Sequence, residues 1–229
     1  MSLERLREEV LEANLEIVRR GLVLYTFGNV SGIDRERGLV VIKPSGVPYE
    51  SMTRSDLVVV SLDGAIVEGS LRPSSDLATH LVLYRSFAAI GGVVHTHSRY
   101  ATAWAQARRE IPCVGTTHAD YFYGPVPVTD PMTDDEIATG YEHNTGLVIV
   151  RRFEELNPAN IPAVLVANHG PFAWGKNAAD AAHNAVVLEE IAHVTAQSVA
   201  LGGPFPISQA LLDKHFLRKH GPAAYYGQK

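Results

Sequence analysis

From residue 22 to about residue 70 the chain is built of short β-rich runs, Leu22 to Tyr25, Leu39 to Ile42, Leu57 to Leu62 and Ala65 to Val67. They are parted by Gly28-Asn29, Pro44-Ser45-Gly46 and Asp63-Gly64, which are turn signals. Runs joined this way read as hairpins, and hairpins make antiparallel pairs. Residues 3 to 20 follow a different period. Leu3, Leu6, Val10, Leu11, Asn14 and Ile17 recur at three- and four-residue steps, as an amphipathic helix requires, and Gly21 stops it.

Further helices alternate with strands. One opens at Ser74-Ser75-Asp76 and carries Leu77, Leu81, Tyr84 and Phe87 on one side. After Gly91-Gly92, residues 93 to 97 read as a strand, with Ser98 placed to cap a helix through about Gln106. Residues 111 to 131, rich in Pro, Gly, Tyr and Thr, read as strand and loop, and Thr133 to Glu136 fits a capping box. Ile161 to Ala167 is a buried-type strand that runs into Asn168-His169-Gly170-Pro171. Asn177 begins a long helix to about Ala200, a break follows at Gly202-Gly203-Pro204, and Ser208 caps a last helix that Gly221-Pro222 ends. The pattern predicts an α/β fold of three layers, α/β/α, with a central mixed, largely antiparallel sheet flanked by helices.

At 229 residues, with 46% hydrophobic and 20% charged, the chain has material for one sizeable core, and residues 1–229 are expected to form a single domain. A net charge of −5 gives no general attraction to nucleic acid or to an anionic membrane, so any phosphate must be held locally. Cys113 is the only cysteine, which excludes an intramolecular disulfide and a paired-cysteine zinc or redox site. No 18-residue apolar run and no leader-type N-terminus occur, so a soluble, cytoplasmic protein is expected.

In a strand, alternate side chains leave one face, so His95 and His97 have ligand spacing for a single ion. His169, at the end of another strand, could complete a three-nitrogen site that suits zinc and leaves positions open for substrate, or be an ordinary turn histidine beside Gly170. The competing reading of the pair is two histidines hydrogen-bonded within a sheet. Asp76 has two roles open to it: a carboxylate favoured by a helix N-terminus, or a fourth, oxygen ligand or neighbouring acid/base. Ser74 and Ser75 at the same helix start could receive an anion. Gly28-Asn29 and Ser45-Gly46 are ordinary turns taken singly, and a phosphate cradle if they converge with the serine pair. Asp120 lies in an aromatic, largely uncharged stretch that could raise its pKa toward a useful range for proton transfer, and a satisfied loop carboxylate is the other reading. Tyr225-Tyr226, near the C-terminus, suggest docking onto something.

Gly28-Asn29-Val30-Ser31, Lys43-Pro44-Ser45-Gly46-Val47, Pro73-Ser74-Ser75-Asp76, His95-Thr96-His97-Ser98 and residues 169 to 175 (HGPFAWG) resemble the class II aldolase/adducin superfamily. Residues 117 to 124 (THADYFYG) and 224 to 228 (AYYGQ) resemble its L-ribulose-5-phosphate 4-epimerase branch, and the likeness runs over nearly the whole chain. The resemblance implies zinc held by His95, His97 and His169, with Asp76 as a further ligand. The aldolases have a glutamate acid/base at that last place, so the shorter Asp76 favours the epimerase branch. It also implies a sugar phosphate surrounded by Gly28, Asn29, Ser45, Gly46, Ser74 and Ser75, and an acid/base pair of Asp120 and Tyr226. A cyclic homotetramer with sites between subunits is the assembly it implies. The expected reaction is 4-epimerisation of L-ribulose 5-phosphate by breaking and remaking the C3–C4 bond, in arabinose or ascorbate catabolism. The rivals are a class II sugar-phosphate aldolase and a non-catalytic adducin-like interaction domain.

Overall fold

The structure is a computed structural model that describes residues 2–203, 205–220 and 224–226. The expected break at Pro204, the helix stop at Gly221-Pro222 and residues 227 and 228 of the tail motif lie outside the described residues. In chain order the elements are α1 (Leu3–Arg19), β1 (Asn29–Asp34), β2 (Leu39–Ile42), β3 (Val58–Ser61), β4 (Ile66–Glu68), α2 (Leu77–Ser86), β5 (Gly92–His95) and α3 (Arg99–Gln106). There follow α4 (Thr116–Ala119), α5 (Asp134–Ala138), α6 (Tyr141–Arg152), β6 (Ala163–Leu165), β7 (Pro171–Gly175), α7 (Ala178–Ala200) and α8 (Gln209–His220).

The seven strands form one sheet in the order β4-β3-β2-β1-β5-β7-β6. Every pairing in it is antiparallel. The parallel component of the expected mixed sheet reduces to an isolated bridge between Val128 and Leu165. α1 and α7 cover one face. A Cβ at Gly32 of β1 would stand 2.9 Å from Val10 and 3.6 Å from Ala178, so α1 and α7 both press on that strand. α2 covers the other face, where His80 and Tyr84 reach Ser31 and Phe87 packs on Trp174 of β7.

Several local expectations need correction. Leu22 to Tyr25 is not a strand: Leu22 is buried, but Leu24 and Tyr25 are exposed and Tyr25 has φ 53°, which breaks the extended chain. The strand lies further on, and Asn29, read as part of a turn, is its first residue. Buried Asn14 of α1 explains the position, because its side chain accepts from Val30 N–H (2.9 Å) and donates to Val30 C=O (3.0 Å). Pro171 to Gly175, where the sequence pattern indicated no strand, is β7, paired with both β5 and β6. Residues 116 to 119, inside the stretch read as strand and loop, form a helical turn. Ser98 occupies the cap position of α3 but makes no side-chain cap bond. The Glu189 carboxylate of α7 takes its place, accepting from Tyr100 N–H (2.8 Å) and Ala101 N–H (2.9 Å).

Candidate active site: three imidazoles and a polar cradle

The C-terminal end of β5 and the N-terminal end of β1 lie side by side, with Asn29 opposite His95. Gly28 approaches the neighbouring strand so closely that a Cβ would be 2.8 Å from His95 C=O, and its φ is +82°. Only glycine fits both conditions. Tyr49 O–H donates to Gly28 C=O (2.8 Å) and pins this entry to the sheet.

β5 ends at His95, so the strand alternation expected to align His95 with His97 does not apply. The short link to α3 performs that task instead. Nε2 of His97 lies 3.1 Å from Nε2 of His95, and the His169 ring centroid is 4.7 Å from that of His95 and 5.0 Å from that of His97. One ligand nitrogen from each ring falls within 4.8 Å of the others. His95 is buried, its ring stacked on Phe172 at 4.2 Å and its Nδ1 donating to Pro171 C=O at 3.0 Å. A carbonyl can only accept, so this bond leaves the His95 Nε2 lone pair aimed at the other rings. Burial depresses the pKa of all three imidazoles, and for His169 burial together with repulsion from His95 and His97 brings it down to about 3. Three neutral imidazoles with converging nitrogens form a donor set that fits a divalent cation such as zinc.

Asp76 stands at the cap position of α2 but makes no side-chain cap bond, so the capping role read from sequence is not what holds it. It accepts instead from Asn29 Nδ2 at 2.6 Å, and the same amide donates to Ser74 Oγ at 3.0 Å. Burial opposes its charge, but His95, His80 and the Asn29 bond outweigh burial and hold its pKa below the ordinary carboxylate value. The carboxylate shares the cavity of the imidazoles without belonging to their close cluster.

The loops at residues 43 to 46 and 72 to 75 are zipped together by Ser45 N–H to Arg72 C=O (2.9 Å) and Ser74 N–H to Lys43 C=O (3.0 Å). They bring Ser45, Gly46, Ser74 and Ser75 to the wall that also carries Gly28 and Asn29. All six expected phosphate-site residues, Asp76 and the three histidines therefore line one cavity of about 450 Å³.

Asp120 and Tyr226 do not line it. Asp120 follows α4 and meets α8, where His215 (2.9 Å), Arg218 (2.9 Å) and Lys219 (3.1 Å) surround its carboxylate. Burial works against its charge, and these three partners outweigh burial, so its pKa is lowered. The expected uncharged setting and raised pKa are thus corrected, because the residues that set its charge come from α8, distant in sequence. Tyr226 is 60% exposed, with the Arg218 guanidinium 4.7 Å from its ring centre. The two groups therefore gather around Arg218, apart from the imidazoles of their own chain.

Thr26, Phe27, Lys43, Tyr141 and Glu142 also line the cavity and escaped the sequence reading. Lys43 stood in a quoted motif, where its place between an apolar strand and a Pro-Ser-Gly turn was the available signal. It is 2% exposed, donates to Pro44 C=O (3.2 Å) and lies 4.6 Å from the Tyr49 ring centre, and burial lowers its pKa to about 8. Tyr141 and Glu142 reach the cavity through the packing of α6 on α2, which local pattern does not encode.

The chain is 56% identical over 228 residues to L-ribulose-5-phosphate 4-epimerase UlaF of Salmonella paratyphi A, covering 99% of this chain and all of that one. A solved L-fuculose 1-phosphate aldolase superposes with a TM-score of 0.80 at 27% identity, over 94% of this chain and 96% of the other. L-fuculose-1-phosphate aldolase from Thermus thermophilus gives 0.69 at 26% identity, over 89% and 99%. The Class II Aldolase and Adducin N-terminal domain matches residues 8–196. With a full-length relative at this identity and the family domain over most of its length, the chain belongs to the class II aldolase/adducin family.

Proposed function

We propose that residues 1–229 act as one catalytic domain that interconverts L-ribulose 5-phosphate and D-xylulose 5-phosphate, breaking and remaking the C3–C4 bond. The observation that carries this reading is the cavity in which three neutral imidazoles stand beside a cradle of small polar residues and a buried lysine. Its chemical motive lies in the substrate. The carbonyl of a 2-ketose acidifies the hydrogen on C3 but not the one on C4, so inversion at C4 by direct deprotonation would be very slow. Cleavage next to the carbonyl-bearing fragment, rotation of the aldehyde and re-addition to its other face avoid that step.

His95, His97 and His169 would hold a divalent cation, zinc in this reading, with Asp76 beside them as a further ligand. Bound there, the cation supplies Lewis acidity toward the oxygens of the carbon skeleton. The loops carrying Gly28, Asn29, Ser45, Gly46, Ser74 and Ser75 hold the phosphate, and Lys43 gives it a cationic partner in an acidic protein. Anchored at its phosphate, the aldehyde fragment turns without leaving.

The C4 hydroxyl must lose a proton on one face and regain one on the other, which calls for two groups on opposite sides. Asp120 and Tyr226 take these roles. Since neither lines the cavity of its own chain, they serve a neighbouring copy, with the chains forming a cytoplasmic homotetramer whose sites lie between subunits.

Incubation with L-ribulose 5-phosphate tests the reading. D-Xylulose 5-phosphate should form without free glycolaldehyde phosphate accumulating. Stoichiometric release of glycolaldehyde phosphate would instead assign an aldolase, the activity named for the structural neighbours.

A further inference from the structure

We propose that Tyr141 is the positioning residue of the third imidazole: its hydroxyl oxygen accepts from Nδ1–H of His169 and thereby holds Nε2 of that ring as a lone-pair donor toward His95 and His97. The inference deepens the functional reading and rests on the three histidines being a cation site. A neutral imidazole carries one N–H, and the hydrogen-bond partner of one nitrogen decides which nitrogen is left bare. For His95 a backbone carbonyl makes that choice, through Pro171 C=O at 3.0 Å. Among the described residues no such carbonyl meets the His169 ring; its Nδ1 lies 3.2 Å from the Tyr141 hydroxyl. A hydroxyl can donate or accept, and only acceptance leaves Nε2 free for a cation.

The tyrosine is well placed to be a fixed point. It is the first residue of α6, its C=O accepts from Thr145 Oγ1 at 2.8 Å, and the following residue's C=O accepts from Thr79 of α2. Asp76 stands at the cap position of α2, so the same helix pair frames the carboxylate and the tyrosine. His169, by contrast, sits in the tight turn between β6 and β7, beside Asn168 at φ 62°. Among the described contacts, the Tyr141 hydroxyl is the polar partner of its ring. Groups that orient metal-ligating histidines in this way change metal affinity by about 10- to 100-fold when removed.

Tyr141→Phe deletes only the hydroxyl of a residue that is 38% exposed, and it keeps the ring that packs on His169 at 5.8 Å. The experiment measures zinc affinity by competition with a chromophoric chelator, and the thermal midpoint of the metal-free protein, for parent and variant. The expected result is a zinc affinity lowered tenfold or more with the metal-free midpoint unchanged. A smaller loss of affinity overturns the proposal and leaves the cation site standing, as does a midpoint that falls together with the affinity. A parent protein that binds no zinc overturns both.

Discussion

Lys43 shows what a single residue discloses about the cavity. A nearly buried ammonium is costly unless an anion compensates it, and among the described residues Lys43 meets only a carbonyl and an aromatic ring, so burial brings its pKa down to about 8. In the proposed function a substrate phosphate is the missing partner. Replacing Lys43 by Met should raise KM for the sugar phosphate roughly 10- to 100-fold, the value of one charge-assisted contact. In the parent, KM should climb as pH passes about 8, because the lysine is charged below its pKa and neutral above it. A KM that stays flat in both experiments would place the phosphate elsewhere. The same residue marks the limit of reading a site from sequence. His95, His97 and His169 were legible as a set of candidate ligands, although the link to α3 and not strand alternation brings His97 to His95, and the glycine and serine turns were legible from their composition. Lys43 was hidden because burial, which makes it chemically unusual, is a property of the folded chain. Asp120 was legible as a candidate but its environment was misread, since His215, Arg218 and Lys219, which surround it, lie about a hundred residues away.

At the scale of elements, the amphipathic period of α1, the caps of α5 and α7 and the Asp63-Gly64 turn between β3 and β4 were expressed locally, and these appear in the structure. The departures occur where tertiary contacts decide. β1 begins where Asn14 of α1 supplies hydrogen bonds, and β7 forms because β5 and β6 flank it. α3 is the clearest case: its serine sits at the cap position without bonding, and Glu189 from α7 satisfies its first free N–H groups. A half-buried carboxylate at a helix N-terminus also gains from the helix dipole. Glu189→Ala should therefore lower unfolding free energy by about 1–2 kcal/mol in a urea titration. An unchanged midpoint would mean that water replaces the carboxylate at no cost. Because α3 starts just after His97, the variant should also loosen the link that carries this histidine.

Across the whole molecule, the sheet order places β1, β5 and β7 side by side, so three segments far apart in sequence deliver Asn29, His95 and the His169 turn to one end of one sheet. Among the described residues no helix is long and apolar enough to cross a membrane. The Asp120 and Tyr226 cluster lies apart from that end, so two distinct polar regions exist on each chain, and a working site in our account needs one of each. Such an arrangement makes activity depend on the cation and on association together. The cation is the more direct test. The protein would be stripped with a chelator, the chelator removed, and zinc added back in fractions of an equivalent while epimerisation of L-ribulose 5-phosphate is followed. The account predicts no turnover in the metal-free protein and recovery that rises linearly to a plateau at one zinc per chain. Full turnover by the metal-free protein would contradict it.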